Sequence, residues 1–183
     1  MWMVQNLRTT KYRNGDLIGT TTPDTLDIRS ENTPKYQWIF KGYEDKVAIY
    51  GRLYTWFAVS DSRNIAPSGW HVPTDAEWAT LINYLGGQNV AGAKLKEIGT
   101  TNWNSPNTDA TNESGFTALS SGYRAENGYF YNYFGIRGYW WSATQCTGCA
   151  NISGLDWILD VSSLIGDEAD NASLGLSVRC VMD

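Results

Sequence analysis

The three cysteines are the first residues whose type and spacing could do chemistry. Cys146 and Cys149 form a Cys-x-x-Cys pair, and Cys180 makes the count odd, so at least one thiol has no partner within the chain. Redox pairs of this spacing lie where a strand runs into a helix, whereas residues 144–150 have the composition of a loop. A zinc site would need a second cysteine pair or a nearby histidine. We therefore expect free or loosely paired surface thiols, with a redox or metal site as the less favoured alternatives.

His71 is the single histidine, so a Ser-His-Asp mechanism would have to use it. The sequence contains neither the Gly-x-Ser-x-Gly nucleophile motif nor the Gly-x-x-x-x-Gly-Lys phosphate loop. The position of His71 just before a predicted helix indicates a core or capping role. We expect no catalytic residue and no enzyme activity.

An acidic run towards the C-terminus raises the question of calcium. Its members are Asp156, Asp160, Asp167, Glu168, Asp170 and Asn171. Calcium needs about six to eight converging oxygens, and the run has no EF-hand spacing. The Glu-Pro-Asn and Trp-Asn-Asp signatures of sugar-binding lectin sites are also absent. We expect a solvated acidic loop without metal or cofactor, and calcium stays open as the alternative.

Length and composition exclude several classes of protein. The chain has 183 residues, of which 18% are charged, and it carries 9 Trp, 11 Tyr and 18 Gly. This length fits one domain, so we assign residues 1–183 to a single domain. The aromatic residues exclude disorder, and the many Gly, Trp and Tyr exclude a long coiled coil. A net charge of −5 without a basic cluster argues against nucleic-acid binding. No apolar run reaches the roughly 18 residues of a membrane helix, so we expect no membrane insertion.

Local patterns in the middle of the chain predict helices. Thr74 and Glu77 have the spacing of a capping box at a helix start. The apolar face of that helix is predicted to consist of Trp78, Leu81, Ile82 and Leu85. A second, short helix is predicted at residues 90–96. Residues 50–60 are apolar almost all round, which predicts a buried helix entered from Gly51.

The remaining segments predict strands and loops. Residues 1–50 alternate short apolar runs with turn signals, and the half from residue 99 onward has no helical period. Residues 175–181 have the pattern of a closing strand. The predicted fold class is therefore α+β, with two main helices, short mixed strands and long loops.

The aromatic residues divide between core and surface. The tryptophans expected in the core are Trp56, Trp70, Trp78, Trp140 and Trp141, since large aromatic side chains supply much of the burial energy. Tyr129, Tyr131, Tyr133 and Phe134 lie in a glycine-bounded, hairpin-like stretch, so one face should be solvated. Tyrosine gives contact area at low entropy cost, and some of these rings are candidates for a binding face.

Several segments together resemble a known family. The most specific is Pro-Ser-Gly-Trp-His-Val-Pro-Thr-Asp-Ala-Glu-Trp at residues 67–78. The others, which with it are called the frame segments below, are Trp2–Leu7, Tyr50–Trp56, Ala93–Lys96, Gly115–Leu119, Gly122–Arg124, Tyr139–Thr144 and Leu176–Val181. In order and spacing they resemble the Fibrobacter succinogenes major paralogous domain over nearly the whole chain.

The resemblance implies a C-type-lectin-like fold. In that fold the two chain ends lie in neighbouring strands, and a long irregular region on a small mixed core presents the ligand surface. The family is related in fold to the formylglycine-generating enzymes, but most members look like binding modules of surface or secreted proteins. Members often have a cysteine before Pro-Ser-Gly-Trp-His that would pair with the terminal-strand cysteine. Here that place is Ala66, so Cys180 loses its implied partner.

Residues 146–174 depart most from the family pattern, while the segments on either side keep it. A constant frame around a chemically mixed stretch is similar to the variable proteins of diversity-generating retroelements, whose adenine-directed mutation rewrites binding residues on a C-type-lectin-like scaffold. The candidate ligand-binding residues are Cys146, Gly148, Asn151, Ile152, Gly154, Asp156, Ile158, Asp160, Ser162, Leu164, Ile165 and Leu174. Leu164 and Ile165 are adjacent, so in a flat strand one of the two must face solvent, unless the pair lies in a loop.

The sequence therefore predicts a ligand-binding domain whose partner is a protein or a glycan on a target surface. It is expected at a cell surface, on a virion or outside the cell. The first residues lack the basic and apolar regions of a signal peptide. This leaves another export route or an upstream segment open. The alternatives are a structural or adhesive surface module, or an oxidase of the formylglycine-generating type that would use paired cysteines.

Overall fold

A computed structural model describes residues 1–149 and 151–183 and has an α+β architecture. The helices are α1 (Glu44–Tyr50), α2 (Trp56–Val59), α3 (Asp75–Tyr84) and α4 (Gln88–Leu95), with a 3-10 turn at Phe40–Gly42. The strands are β1 (Gln37–Trp38), β2 (Leu53–Tyr54), β3 (Trp70–His71), β4 (Tyr123–Arg124), β5 (Phe130–Tyr131), β6 (Arg137–Gln145), β7 (Ser153–Asp160), β8 (Ile165–Asn171) and β9 (Val181–Met182).

The predicted capping box of α3 is confirmed. The Thr74 hydroxyl accepts a hydrogen bond from the Glu77 amide, and the Glu77 carboxylate accepts one from the Thr74 amide. His71 lies against this cap, with its ring nitrogens 2.8 Å from carboxylate oxygens of Glu77 and Asp183. These two carboxylates, Asp183 first, raise the pKa of His71. His71 therefore links the start of α3 to the end of the chain, as its capping role predicted.

Two helix predictions are wrong. Residues 44–50 form α1 rather than strand or loop, and Gly51 ends that helix with a φ of 78° instead of starting the next one. The buried helix within residues 50–60 begins only at Trp56, where Thr55 is the N-cap and its hydroxyl accepts from the Ala58 amide. The two main predicted helices correspond to α3 and α4.

The two ends of the chain lie side by side, as the resemblance implied. Trp2 forms a bridge with Val181, and the Leu7 amide donates to the Val178 carbonyl at 2.8 Å. β9 also pairs antiparallel with β3, where Trp70 lies opposite Met182. Residues from both ends and from the middle of the sequence, such as Leu7, Tyr54 and Val178, are thereby joined in one core cluster.

The largest sheet is antiparallel and has the order β6–β7–β8. One of its faces packs on α3 and α4 through Trp140, Trp157 and Leu159, with Trp78 at the centre of the cluster. The predicted core tryptophans are buried, except Trp70, which is half-buried.

Three cations are fully buried: Lys96, Arg124 and Arg179. All three belong to frame segments. Each donates to backbone carbonyls of irregular segments rather than to carboxylates: Lys96 to three, Arg124 to three and Arg179 to one. Because backbone carbonyls outside regular ladders must still find donors when buried, these cations hold the loops to the core.

Arg179 has the most extensive of these networks. Its guanidinium stacks 4.2 Å from the ring centroid of Phe116 and donates to the carbonyl of the same residue. Nε and Nη2 donate to the side-chain oxygen of Asn6 at 3.1 and 2.7 Å, and the Trp140 indole donates to that oxygen at 2.9 Å. Burial lowers the pKa of Arg179 to about 9. One side chain thus connects the N-terminal segment, the loop before β4 and strand β6.

We expect Arg179→Met to lower the free energy of unfolding by about 2–4 kcal/mol, because a buried carbonyl and a buried amide oxygen lose donors. Urea unfolding measures the change. Arg8→Met is the matched control, since Arg8 is exposed and, within the described part of the chain, its side chain forms a hydrogen bond only with Gln5. A loss at Arg179 no larger than that at Arg8 contradicts the anchoring role.

Candidate ligand-binding face

The second face of the β6–β7–β8 sheet carries the candidate site. The register places Tyr139 opposite Ile158 and Ile158 opposite Gly166, so all three lie on this face. The side chains on and around it, together called the tyrosine–carboxylate face, are Tyr123, Tyr131, Tyr133, Arg137, Tyr139, Asp156, Ile158, Asp160, Gly166, Glu168 and Asp170.

A shallow pocket of about 180 Å³ opens on this face. Its lining includes Arg137, Ile158, Asp160, Leu164, Gly166 and Glu168, and we call it the Gly166 pocket. Among the described residues, a Cβ added at Gly166 would meet no heavy atom within 4 Å, and the φ of Gly166 is not positive. The backbone therefore does not need glycine here, and the missing side chain is what leaves the pocket open.

A cluster of tyrosine rings continues the face beside Arg137. Tyr123 stacks on Tyr131 at 4.7 Å between centroids, and Tyr131 lies parallel to Tyr133 at 6.3 Å. The Arg137 guanidinium lies 5.8 Å from the Tyr133 ring centroid, and Tyr139 raises the pKa of Arg137. These rings are half-buried apart from buried Tyr139, so they offer both ring surface and hydroxyl groups to a ligand.

The predicted solvation of one face of the tyrosine stretch is confirmed. Tyr129 is 60% exposed and Tyr131 is half-buried, whereas Phe130 between them is 3% exposed. The exposed rings point away from the core that Phe130 joins with Phe40.

Asp156 lies fully buried on this face, between Trp141 on β6 and Glu168 on β8. Within the described part of the chain, neither of its carboxylate oxygens has a hydrogen-bond partner. Burial, and next the charges of Asp170 and Glu168, raise the pKa of Asp156 to about 9. Its carboxyl group is therefore protonated at neutral pH.

The predicted solvated acidic loop is wrong. All six members of the acidic run lie in strands β7 and β8, with Asp160 and Asn171 as the last residue of each strand. Asp167 accepts a hydrogen bond from Gln88 on α4, and Asp160 accepts two from Ser162. In the described ranges, no group of three or more His, Cys, Asp and Glu side chains is placed to hold a metal ion. The acidic side chains are spread along the two strands and do not converge.

The buried side chain of Lys96 stabilises the turn between β7 and β8 by hydrogen bonds. Its ammonium donates to the carbonyls of Thr108, Val161 and Ser162 at 3.1, 2.9 and 2.6 Å, and burial lowers the pKa of Lys96 to about 8. Beside this turn Leu164 is 51% exposed and Ile165 is 3% exposed, which confirms that one of the two faces solvent.

The opposite end of the sheet is closed by a disulfide. Cys146 and Cys149 are bonded to each other with Cα atoms 5.9 Å apart, so the prediction of free or loosely paired thiols is wrong at both. The hairpin between β6 and β7 brings them together, and the Cys146 amide donates to the Ser153 carbonyl at its base. Cys180 is a free, buried thiol, as the odd count of cysteines required.

The structure divides the twelve predicted site residues into three groups. Cys146, Gly148, Asn151 and Ile152 are partly or fully exposed at the disulfide-closed tip. Ile158, Asp160, Ser162 and Leu164 are accessible near the Lys96-anchored turn. The two groups are about 25 Å apart, because β7 rises about 3.3 Å per residue between them. A ligand the size of one side chain contacts one group and not both.

The third group does not reach the surface. Gly154, Asp156, Ile165 and Leu174 are buried, so their prediction as ligand contacts is wrong. Gly154 lies under the Trp56 indole, which occupies the space that a side chain would need. Ile165 packs with the α3–α4 cluster and Leu174 with the larger core.

Sequence reasoning missed Arg137, Tyr139, Gly166 and Glu168. Strand alternation over residues 153–171 would have placed Gly166 and Glu168 on one face. Arg137 and Tyr139 belong to another strand, and only the pairing of Arg137 with Asp160 and of Tyr139 with Ile158 brings them to the site.

The comparison with protein families agrees with the frame segments. The model of the Fibrobacter succinogenes major domain matches residues 1–182. The chain belongs to this family. Neither the curated proteins nor the solved structures gave a match. Within the described residues of this family member, no helix has the length and apolar character needed to cross a membrane.

In this family member we expect Asp156 to make stability depend on pH. Its folded pKa of about 9 lies above the ordinary value of 3.8, so the folded state holds an extra proton between these values. The free energy of unfolding should fall as the pH rises through that window. We expect Asp156→Asn to be more stable than the parent near pH 8, with a difference that shrinks towards about pH 4.

Urea unfolding at several pH values measures this difference. Asp45→Asn is the matched control, because the Asp45 side chain is 75% exposed on α1. An effect of Asp156→Asn that is the same at all pH values would contradict a protonated, buried carboxyl group.

Proposed function

We propose that the chain is a non-enzymatic ligand-binding domain with a C-type-lectin-like fold, and that it recognises a protein or a glycan through the tyrosine–carboxylate face. The Gly166 pocket carries this proposal. It opens on a sheet in which β7 pairs in register with both β6 and β8. The backbone conformation at residue 166 does not require the glycine that leaves the pocket open. Half-buried tyrosines and accessible carboxylates surround it, and tyrosine is enriched at recognition surfaces.

Paired chain ends and a small mixed core with long loops support the C-type-lectin-like fold. The Cys146–Cys149 disulfide supports a location outside the cell, at a cell surface or on a virion, because disulfides persist in oxidising surroundings. The same bond weakens the alternative of an oxidase, since it lies at an exposed hairpin tip while Cys180 is buried. The nearest alternative is a structural or adhesive module. It differs from the proposed ligand-binding domain only in the partner that the tyrosine–carboxylate face contacts.

Diversification by a retroelement is the second part of the proposal. It is supported by the alternation of accessible and buried side chains within one segment. Ile158, Asp160 and Leu164 are accessible to a ligand, and Leu159 and Ile165 between and beside them are buried in the core. Changes at Asp160 and Leu164 leave the core contacts unaltered, whereas Ile158 also packs against the larger core. A surface that is rewritten repeatedly needs this separation.

Filling the pocket tests the ligand-binding function. We expect Gly166→Phe to fold normally and to lose binding, whereas Gly166→Ala, the matched control, retains most of it. A displayed peptide library and a glycan array, each screened with the parent and both variants, measure binding, and thermal unfolding confirms folding. If every peptide and glycan that binds the parent binds Gly166→Phe equally well, the face is not the binding site.

The DNA beside the gene tests diversification. We expect a reverse-transcriptase gene and a near-copy of the 3′ end, with differences confined to adenines. Those differences should change codons of accessible residues such as Asp160 and Leu164 and spare buried Gly154 and Ile165. Absence of such a copy, or differences concentrated in codons of buried residues, contradicts the retroelement hypothesis.

A further inference from the structure

We propose that the Gly166 pocket binds a single basic side chain, an arginine or a lysine, presented by a partner protein. This inference rests on the proposed function, since it names the ligand chemistry of the same face. It follows from the charge, the shape and the lining of the pocket.

The first step is charge. Asp160 and Glu168 line the pocket with their carboxylates, and Asp170 follows on the same face of β8. Asp167 also lines the pocket, but its side chain lies on the opposite face, where it accepts a hydrogen bond from Gln88 on α4. None of these four forms an ion pair with a cation of the described residues. The carboxylates of Asp160, Glu168 and Asp170 lie on the same face of two neighbouring strands. Like charges there repel one another, and a cation from outside relieves that repulsion.

The second step concerns Arg137, the one cation among the described residues that line the pocket. In the ranges that the structure describes, it forms no ion pair with these carboxylates, because its guanidinium lies over Tyr133; its pKa is raised first by Tyr139 and to a smaller extent by Asp160. Arg137 lies at the β6 side of the pocket, opposite Asp160, while Glu168 lies on β8. The β8 side of the pocket is therefore left negative.

The third step is shape. Ile158 and the half-exposed Leu164 supply apolar surface beside the carboxylates of Asp160 and Glu168. Arginine and lysine combine an apolar stem with a charged head, which matches this division. A volume of about 180 Å³ gives room for one long side chain rather than for a folded element.

The fourth step is the choice of a protein over a glycan. A guanidinium donates in parallel to carboxylate oxygens, and such charge-assisted bonds are about twice as strong as neutral ones. A neutral sugar leaves the negative charge of the β8 side uncompensated. The tyrosines nearby provide further ring surface for a cation.

A short Gly-Ser peptide with one central arginine is the direct probe, and the same peptide with neutral citrulline is its matched control. Binding is followed by NMR shifts of the amides of Gly166 and Glu168. We expect the arginine peptide to bind at least about tenfold more tightly than the citrulline peptide, and more weakly as salt is raised. Asp160→Asn combined with Glu168→Gln should abolish that preference, and Asp45→Asn should leave it unchanged.

Equal binding of the arginine and citrulline peptides, or no shift at Gly166 with either, overturns the inference. The library screen separates this failure from failure of the proposed function. One outcome would be ligands without basic groups that bind the parent but not Gly166→Phe, and whose binding Glu168→Gln does not change. In that case the face is a binding site, but its ligand is not a basic side chain. If nothing in either screen depends on Gly166, the proposed function itself fails.

Discussion

The demand of buried backbone carbonyls for donors is the constraint on which the rest of the structure depends. Strands β1 to β5 and β9 have two residues each, so much of the backbone lies outside ladders that would pair it. Lys96, Arg124 and Arg179 meet that demand at three separate points. A buried cation is costly unless its hydrogen bonds are satisfied, so each of the three also fixes where its carbonyl partners must lie. Long loops whose carbonyls bond these buried cations can therefore keep a defined conformation.

This constraint connects the frame to the candidate site. Lys96 follows directly after α4 and bonds the turn that carries Ser162, so the edge of the tyrosine–carboxylate face is positioned by a residue that no ligand reaches. All three buried cations lie in frame segments. Their hydrogen bonds to loop carbonyls are a physical reason for the residues that the family pattern has at these positions. The site can vary while the groups that position it stay in place.

How far the sequence predicts the structure depends on the range of the interactions involved. The capping box of α3 and the exposure of one residue of the pair Leu164 and Ile165 were predictable, because each depends on neighbours in sequence. Helix α1 was not, because none of its residues is buried and no apolar period marks it. The burial of Gly154 under Trp56 could not be predicted either, since the two residues are distant in sequence. Likewise, Arg137 reaches the site only through strand pairing.

Gly166 has a consequence for how this surface can adapt. Most positions that shape a binding site also contribute to packing, so a change in ligand size alters stability as well. At Gly166 the described neighbours leave open space and the backbone conformation is ordinary, so the two properties are uncoupled. A single codon can therefore set the depth of the pocket, from open to filled, and specificity at this position can evolve without a compensating change elsewhere.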